Sequence, residues 1–137
     1  MKKMLFLLFA AFFVVGCRNE VTYKSVSAPT FAAFISDRSV QLVDARTMGE
    51  YIDGHIPGAQ NIDVHSESFD AEILQLDKSR PVAIYCRGGR RSKVAAERLI
   101  DCGFNNVVEL DEGILSWEGE LAQIDSATVI HQYAQPE

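Results

Sequence analysis

The chain has no apolar run long enough to cross a bilayer as a helix. Its longest is the twelve residues from Met4 to Val15, against the ~20 that a span requires. It lacks a positive balance: 13 Lys and Arg stand against 19 Asp and Glu, a formal net charge of −6. Such a chain is a poor ligand for nucleic acid or for anionic lipid surfaces. Cysteine is scarce, at three residues, too few for a disulfide-built scaffold. No CxxC and no close pair of histidines occurs, so no metal centre and no cofactor is expected. Internal repeats and low-complexity stretches are also missing. One absence is local. From Lys78 to Ala96 there is no Asp or Glu, although the window holds Lys78, Arg80, Arg87, Arg90, Arg91 and Lys93.

Inside that window lies Val82-Ala-Ile-Tyr-Cys86-Arg-Gly-Gly-Arg-Arg-Ser92, followed by the helical pattern Lys93 to Ile100. A short apolar strand delivers a thiol to its end, a basic loop broken by glycine follows, and a helix begins. Positive surroundings favour the thiolate, the nucleophilic form of cysteine. A helix start adds unpaired N–H groups and the positive end of the dipole. Cys86 is therefore the candidate nucleophile. Arg87, Gly88, Gly89, Arg90, Arg91 and Ser92 are the candidate anion-binding loop, with Arg91 ranked ahead of Arg87 as the substrate ligand.

The N-terminus reads as a targeting segment. Met1-Lys2-Lys3 is basic, and the apolar run Met4–Val15 has the length of a secretory h-region. It ends in Val14-Val15-Gly16-Cys17, which resembles the lipobox of bacterial lipoproteins. The resemblance implies a signal peptide over 1–16, a lipidated Cys17 and a tether over 17–24. It also implies a protein anchored to a membrane of the cell envelope, facing the periplasm or exterior. Two or more acyl chains suffice for stable anchoring. Removing Lys2 and Lys3 makes the remaining chain still more acidic. That remainder is the size of one domain, expected over 25–122, with a tail over 123–137.

Taken in order, the domain alternates strands and helices. Tyr23–Ser27 is a candidate edge strand. Ala28-Pro29-Thr30 opens a helix with Pro in its first turn, and Phe31, Phe34 and Ile35 form its apolar stripe. Ser39–Asp44 is a strand. Thr47 and Glu50 have capping-box spacing for a helix over Met48–Asp53. Strand Ala59–Val64, helix Phe69–Leu76 and strand Pro81–Tyr85 follow. A helix over Ser92–Cys102 is closed by Gly103 as a left-handed cap. The last strand is Asn106–Leu110, and a last helix is expected over Gly113–Leu121, with Ile114, Leu115, Trp117 and Leu121 inward. This pattern predicts an α/β domain with a mainly parallel five-stranded sheet and helices on both faces. Ligands of such sheets bind beyond the carboxyl ends of the strands, where Asp44, Arg46 and Cys86 fall.

Three stretches together resemble the rhodanese family of sulfurtransferases. They are Leu42-Val-Asp-Ala-Arg46 with Glu50-Tyr51 and Gly54-His-Ile-Pro-Gly-Ala59; Tyr85-Cys86-Arg-Gly-Gly-Arg-Arg-Ser92; and Gly103-Phe104, Asn106-Val107, Leu110 and Gly113–Trp117. They run in family order. Glu112 departs from the pattern, where the family commonly has the first of two glycines. The resemblance implies a persulfide mechanism. Cys86 takes the outer sulfur of a donor such as thiosulfate, then passes it to a thiophilic acceptor, a thiol or another protein. The alternative is a non-catalytic persulfide carrier or partner-binding module. Phosphatases of the same architecture have one more residue between cysteine and arginine. Here Ser92 occupies the place of their arginine, and the shorter loop favours sulfur transfer.

The other candidates read as structural. Asp44 and Arg46 are a supporting ion pair, His55 a turn anchor, Cys102 and Trp117 core residues, His65 and His131 surface residues. Cys86 and Cys102 stand at opposite ends of a helix, about 15–20 Å apart at 1.5 Å rise per residue, too far for a disulfide.

Overall fold

The computed structural model describes residues 22–125, 127 and 128. The apolar leader, Cys17 and His131 lie outside the described residues. Strand β4 (Val82–Tyr85) is buried along its whole length. Its alternate residues feed two separate cores. Val82 and Ile84 point into one, Ala83 and Tyr85 into the other. A strand with both faces covered needs apolar residues at every position, not at every second one. This explains the unbroken Val-Ala-Ile-Tyr.

Around β4 the sheet is parallel throughout. Its order is β1 (Lys24–Val26), β5 (Val107–Leu110), β4, β2 (Gln41–Asp44), β3 (Gln60–Asn61). Helices α3 (Phe69–Ile73) and α4 (Arg90–Asp101) cover one face. Phe69, Ile73, Ala95, Ala96 and Leu99 pack there on Val43, Ile84 and Val107. Ala95 and Ala96 present almost no bulk, which lets α4 lie close to the strands. Helix α1 (Ala28–Ile35) covers the other face. Its Phe31 is fully buried against Leu42, Ala83, Tyr85 and Val108. Phe31 meets Tyr85 and Trp117 edge-on, with ring centroids 6.5 Å apart in each case. Helix α2 (Met48–Asp53) begins with the expected capping box, formed in both directions between Thr47 and Glu50.

The expected five-stranded parallel sheet with helices on both faces is present. Several boundaries differ. The expected strand over Ala59–Val64 shortens to two residues, although Ile62 and Val64 still donate to the carbonyls of Asp44 and Ala45. Helix α3 ends at Ile73, three residues short of the expected Leu76. Helix α4 starts two residues before Ser92, because Gly89 takes a left-handed φ of 89° and turns the chain straight into it. Its far end closes as expected. Gly103, at φ 97°, donates to Ile100 and Phe104 donates to Leu99, the paired bonds of a Schellman cap.

The expected last helix over Gly113–Leu121 is a correction. Only Gly113–Ser116 is helical, as a single 3-10 turn, and Trp117 is already extended. Leu115 and Leu121 are 65% and 51% exposed instead of inward. The turn is held by bonds to the cysteine loop rather than by its own continuation, and the Trp117 indole folds back to donate to the Glu120 carbonyl. Truncating the centre of the α1 core tests the packing. Phe31→Ala is expected to lower stability by about 3–5 kcal/mol, read as a shift in chemical denaturation midpoint.

Candidate active site

Cys86 is the first residue beyond β4 and is 1% exposed. Its Sγ accepts the Gly89 backbone N–H at 3.2 Å and lies 3.3 Å from Ser92 Oγ. Gly89 makes this possible. At φ 89° its amide turns back toward the sulfur, and a Cβ there would collide with the Asp111 carbonyl. Only glycine fits such a position. Gly88 faces open space and is not left-handed. The loop thus relies on one glycine for its shape, not two.

A second segment fixes the loop from below. Ile114 and Leu115 donate backbone N–H groups to the carbonyls of Cys86 and Arg87, at 2.8 and 3.2 Å. Gly113, at φ 62°, packs so closely that a Cβ would meet both carbonyls. Glu112, by contrast, has an ordinary negative φ of −97°. Of the two positions that are commonly glycine, the chain keeps the one whose geometry demands it.

The basic window divides into three groups. Lys78 and Arg80 sit at the opposite end of β4 from Cys86, Lys78 over the Phe104 ring and Arg80 bonded to the Ser39 carbonyl. Arg91 and Lys93 point to carboxylates that are distant in sequence. Arg91 forms a two-pronged pair with Glu50, both bonds at 2.7 Å. Lys93 bonds Asp111 at 2.7 Å and lies 3.5 Å from Glu109. Arg87 and Arg90 remain exposed, with no ion pair among the described residues. Arg91, ranked first as the substrate ligand, is therefore committed to α2. A shallow groove beside the loop is lined by Arg46 and Arg87, by the acids Glu50 and Asp53, and by Ile114, Leu115 and Leu121.

Asp44 and Arg46 form a buried ion pair at 2.6 Å. Arg46 also donates to the Gly54 carbonyl, and the Tyr85 hydroxyl donates to Asp44 while accepting the Ile56 N–H. Burial and the Asp44 charge push the Tyr85 phenol far above its ordinary range, so it acts only as a neutral bridge. The pair braces the ends of β2 and β4 without touching Cys86. His55 anchors its turn. Its ring stacks on Tyr51 at 3.8 Å, its Nδ1 is 2.8 Å from the Tyr51 carbonyl, and its backbone exchanges bonds with Ala122. Cys102 is free and half-buried against the α4 core. Trp117 is partly buried on the α1 face.

Glu109 escaped sequence reasoning. It lies in the middle of β5, is 0% exposed, and accepts Ser92 Oγ–H at 2.6 Å and Ser25 Oγ–H at 2.5 Å. The available signal was the acid within the apolar strand Asn106-Val-Val-Glu-Leu110, where a buried carboxylate requires partners.

Fold and site together define a parallel α/β domain with a buried cysteine at the switch from central strand to helix. The chain belongs to the rhodanese-like domain family, whose sequence model matches residues 27–120. It is 34% identical over 96 residues to thiosulfate sulfurtransferase GlpE of Shewanella oneidensis, covering 70% of this chain and 93% of that one. A sulfurtransferase of Allochromatium vinosum is also 34% identical, over 99 residues, covering 72% and 87%. Among solved structures, a rhodanese-related protein of Thermoplasma volcanium superposes with a TM-score of 0.65 at 27% identity, covering 73% of this chain and 98% of that one.

The Glu50–Arg91 pair makes a pH prediction. The Arg91 guanidinium, helped by Thr47, holds the Glu50 carboxyl down from 4.5 to about 2. A depressed carboxyl contributes stability above its unfolded value and loses it as pH falls through the folded value. The melting-temperature difference between wild type and Glu50→Gln should be full at neutral pH and shrink between about 4.5 and 2. A difference that does not vary with pH would contradict the pairing.

Proposed function

We propose that the protein moves a sulfane sulfur from thiosulfate or a similar donor to a thiophilic acceptor through a persulfide on Cys86. The observation that carries this reading is the setting of the sulfur: buried at the end of β4, with the Gly89 N–H aimed at it from 3.2 Å. The similarity to a named thiosulfate sulfurtransferase supports the choice of donor.

In the first half-reaction the Cys86 sulfur attacks the outer sulfur of thiosulfate. A new S–S bond forms, the old one breaks, and its electron pair leaves on sulfite, which takes the thiol proton as hydrogen sulfite. Cys86 is left as a persulfide anion. In the second half, an acceptor nucleophile attacks the outer sulfur and Cys86 departs with the bonding pair. Splitting the transfer in two gives ping-pong kinetics. The fixed Gly89 amide stabilises developing sulfur charge without reorganising. Arg87 and Arg90, exposed and unpaired among the described residues, meet the donor's sulfonate oxygens. Arg91 serves instead by holding the loop to α2 through Glu50. Asp44 and Arg46 support the strand ends.

Thiocyanate formation from thiosulfate and cyanide tests this. Cys86→Ala should abolish it, and undiminished activity would refute the assignment. Arg87→Ala should raise KM for thiosulfate roughly tenfold, with a smaller effect on kcat, as expected for loss of a charge-assisted contact.

The reading extends to location. Lys2, Lys3, the apolar run Met4–Val15 and the Gly16-Cys17 that follows it support a lipid-anchored protein facing the periplasm or exterior. Cys17→Ser is expected to abolish fatty-acid labelling and to shift the protein out of the detergent phase in a phase-partition assay. Retained labelling would refute the anchor.

A further inference from the structure

We infer that Glu112 is a specificity-determining residue that sorts sulfur donors by charge, disfavouring dianions relative to monoanions and uncharged donors. The inference rests on the sulfur-transfer reading of the same site and narrows the class of donor it takes.

Glu112 leads into the 3-10 turn Gly113–Ser116. That turn is fixed to the cysteine loop. Gly113 packs against the carbonyls of Cys86 and Arg87, and Ile114 donates its N–H to the Cys86 carbonyl at 2.8 Å. One Cα step of about 3.8 Å separates Glu112 from Gly113. The Glu112 backbone therefore lies within about one Debye length of the Cys86 carbonyl, roughly 8 Å at physiological salt. The residue is exposed, and it lines a shallow cleft with Gly88, Leu115 and Ser116. Open space stands where a Gly88 side chain would be, so nothing there screens Glu112 from a molecule approaching the loop.

Its charge is also uncompensated. The ion pairs among the described residues take up the carboxylates of Asp44, Glu50, Asp70, Glu109 and Asp111. Glu112 is in none of them. Of the acids around the loop, Glu50 is held by Arg91 and Asp111 by Lys93. Asp53 lines the groove that contains Arg87, and Glu118 lines a separate hollow against α1. Glu112 is the acid that shares a cleft with Gly88.

Arg87 and Arg90 attract a donor in proportion to its negative charge, and Glu112 repels it in the same proportion. The repulsion enters the affinity exponentially. Whatever factor Glu112 costs a monoanion, it costs a dianion the square of that factor. For charges about 7 Å apart in a water-like dielectric the factors are roughly threefold and roughly ninefold.

The test compares two donors in the full-length protein, with cyanide as acceptor. Thiosulfate is a dianion and methanethiosulfonate a monoanion. With the second, Cys86 attacks the outer sulfur and the S–S electron pair leaves on a sulfinate in place of sulfite. Glu112→Gln keeps the side-chain shape and removes the charge. It is expected to lower KM roughly ninefold for thiosulfate and roughly threefold for the thiosulfonate, with kcat little changed. Both differences should shrink as salt is added, and Glu112→Asp should keep the wild-type preference. Equal changes for the two donors, an unmoved or raised KM, or a Glu112→Asp that behaves like Glu112→Gln overturns the inference.

A second measurement needs no sulfur donor. Iodoacetate and iodoacetamide alkylate cysteine alike but differ by one negative charge. The ratio of their rates at Cys86, separated from Cys17 and Cys102 by peptide mapping, cancels the reactivity of the sulfur itself. Glu112→Gln should raise the iodoacetate-to-iodoacetamide ratio roughly threefold. An unchanged or lowered ratio overturns the inference, and so does a Cys86 that neither reagent labels. If wild type forms no thiocyanate from either donor, the sulfur-transfer reading fails separately and this ratio decides for Glu112.

Discussion

The left-handed turn at Gly89 is the constraint on which the rest of the site depends. At φ 89° one residue ends the loop, starts α4 and aims its N–H at Cys86. The Asp111 carbonyl occupies the space where a Cβ would stand. Any other residue would have to move either the β5 end or the helix start. Because α4 is packed by Ala95, Ala96 and Leu99 on the sheet, its start cannot drift without disturbing that core. The sulfur is thus positioned by the same contacts that stabilise the domain.

Charge is organised by pairing over long sequence distances. The acid-free window looks like a uniform cationic patch in the chain, but folding sorts it. Glu50, Glu109 and Asp111 draw in Arg91 and Lys93, while the length of β4 carries Lys78 and Arg80 to the opposite end. Arg87 and Arg90 are left exposed and without an ion pair among the described residues, and Arg87 lines the groove beside the loop.

Much of the fold was legible because its signals are local. The apolar run Val82–Tyr85, the Thr47–Glu50 capping spacing and Gly103 as a helix stop each act through neighbouring residues. Gly113–Leu121 misled because its apolar spacing is helical, while its backbone donors go to the Cys86 and Arg87 carbonyls. At the site, the nucleophile candidate and loop were legible from order and composition. The Arg91–Glu50 and Ser92–Glu109 links were not, because each joins residues from separate elements. A cation's partner is a tertiary property. No count of local charge distinguishes a free arginine from a paired one.

Burial of the sulfur and freedom of the arginines are complementary. Cys86 is 1% exposed, so its sulfur meets fixed protein groups, the Gly89 N–H and Ser92 Oγ, in place of water. Arg87 and Arg90, on the loop that follows it, are exposed. For a thiol proposed to work outside the cytoplasm, the same arrangement is protective. Oxidation begins at an accessible sulfur, and a cysteine that is 1% exposed presents little of one to an oxidant.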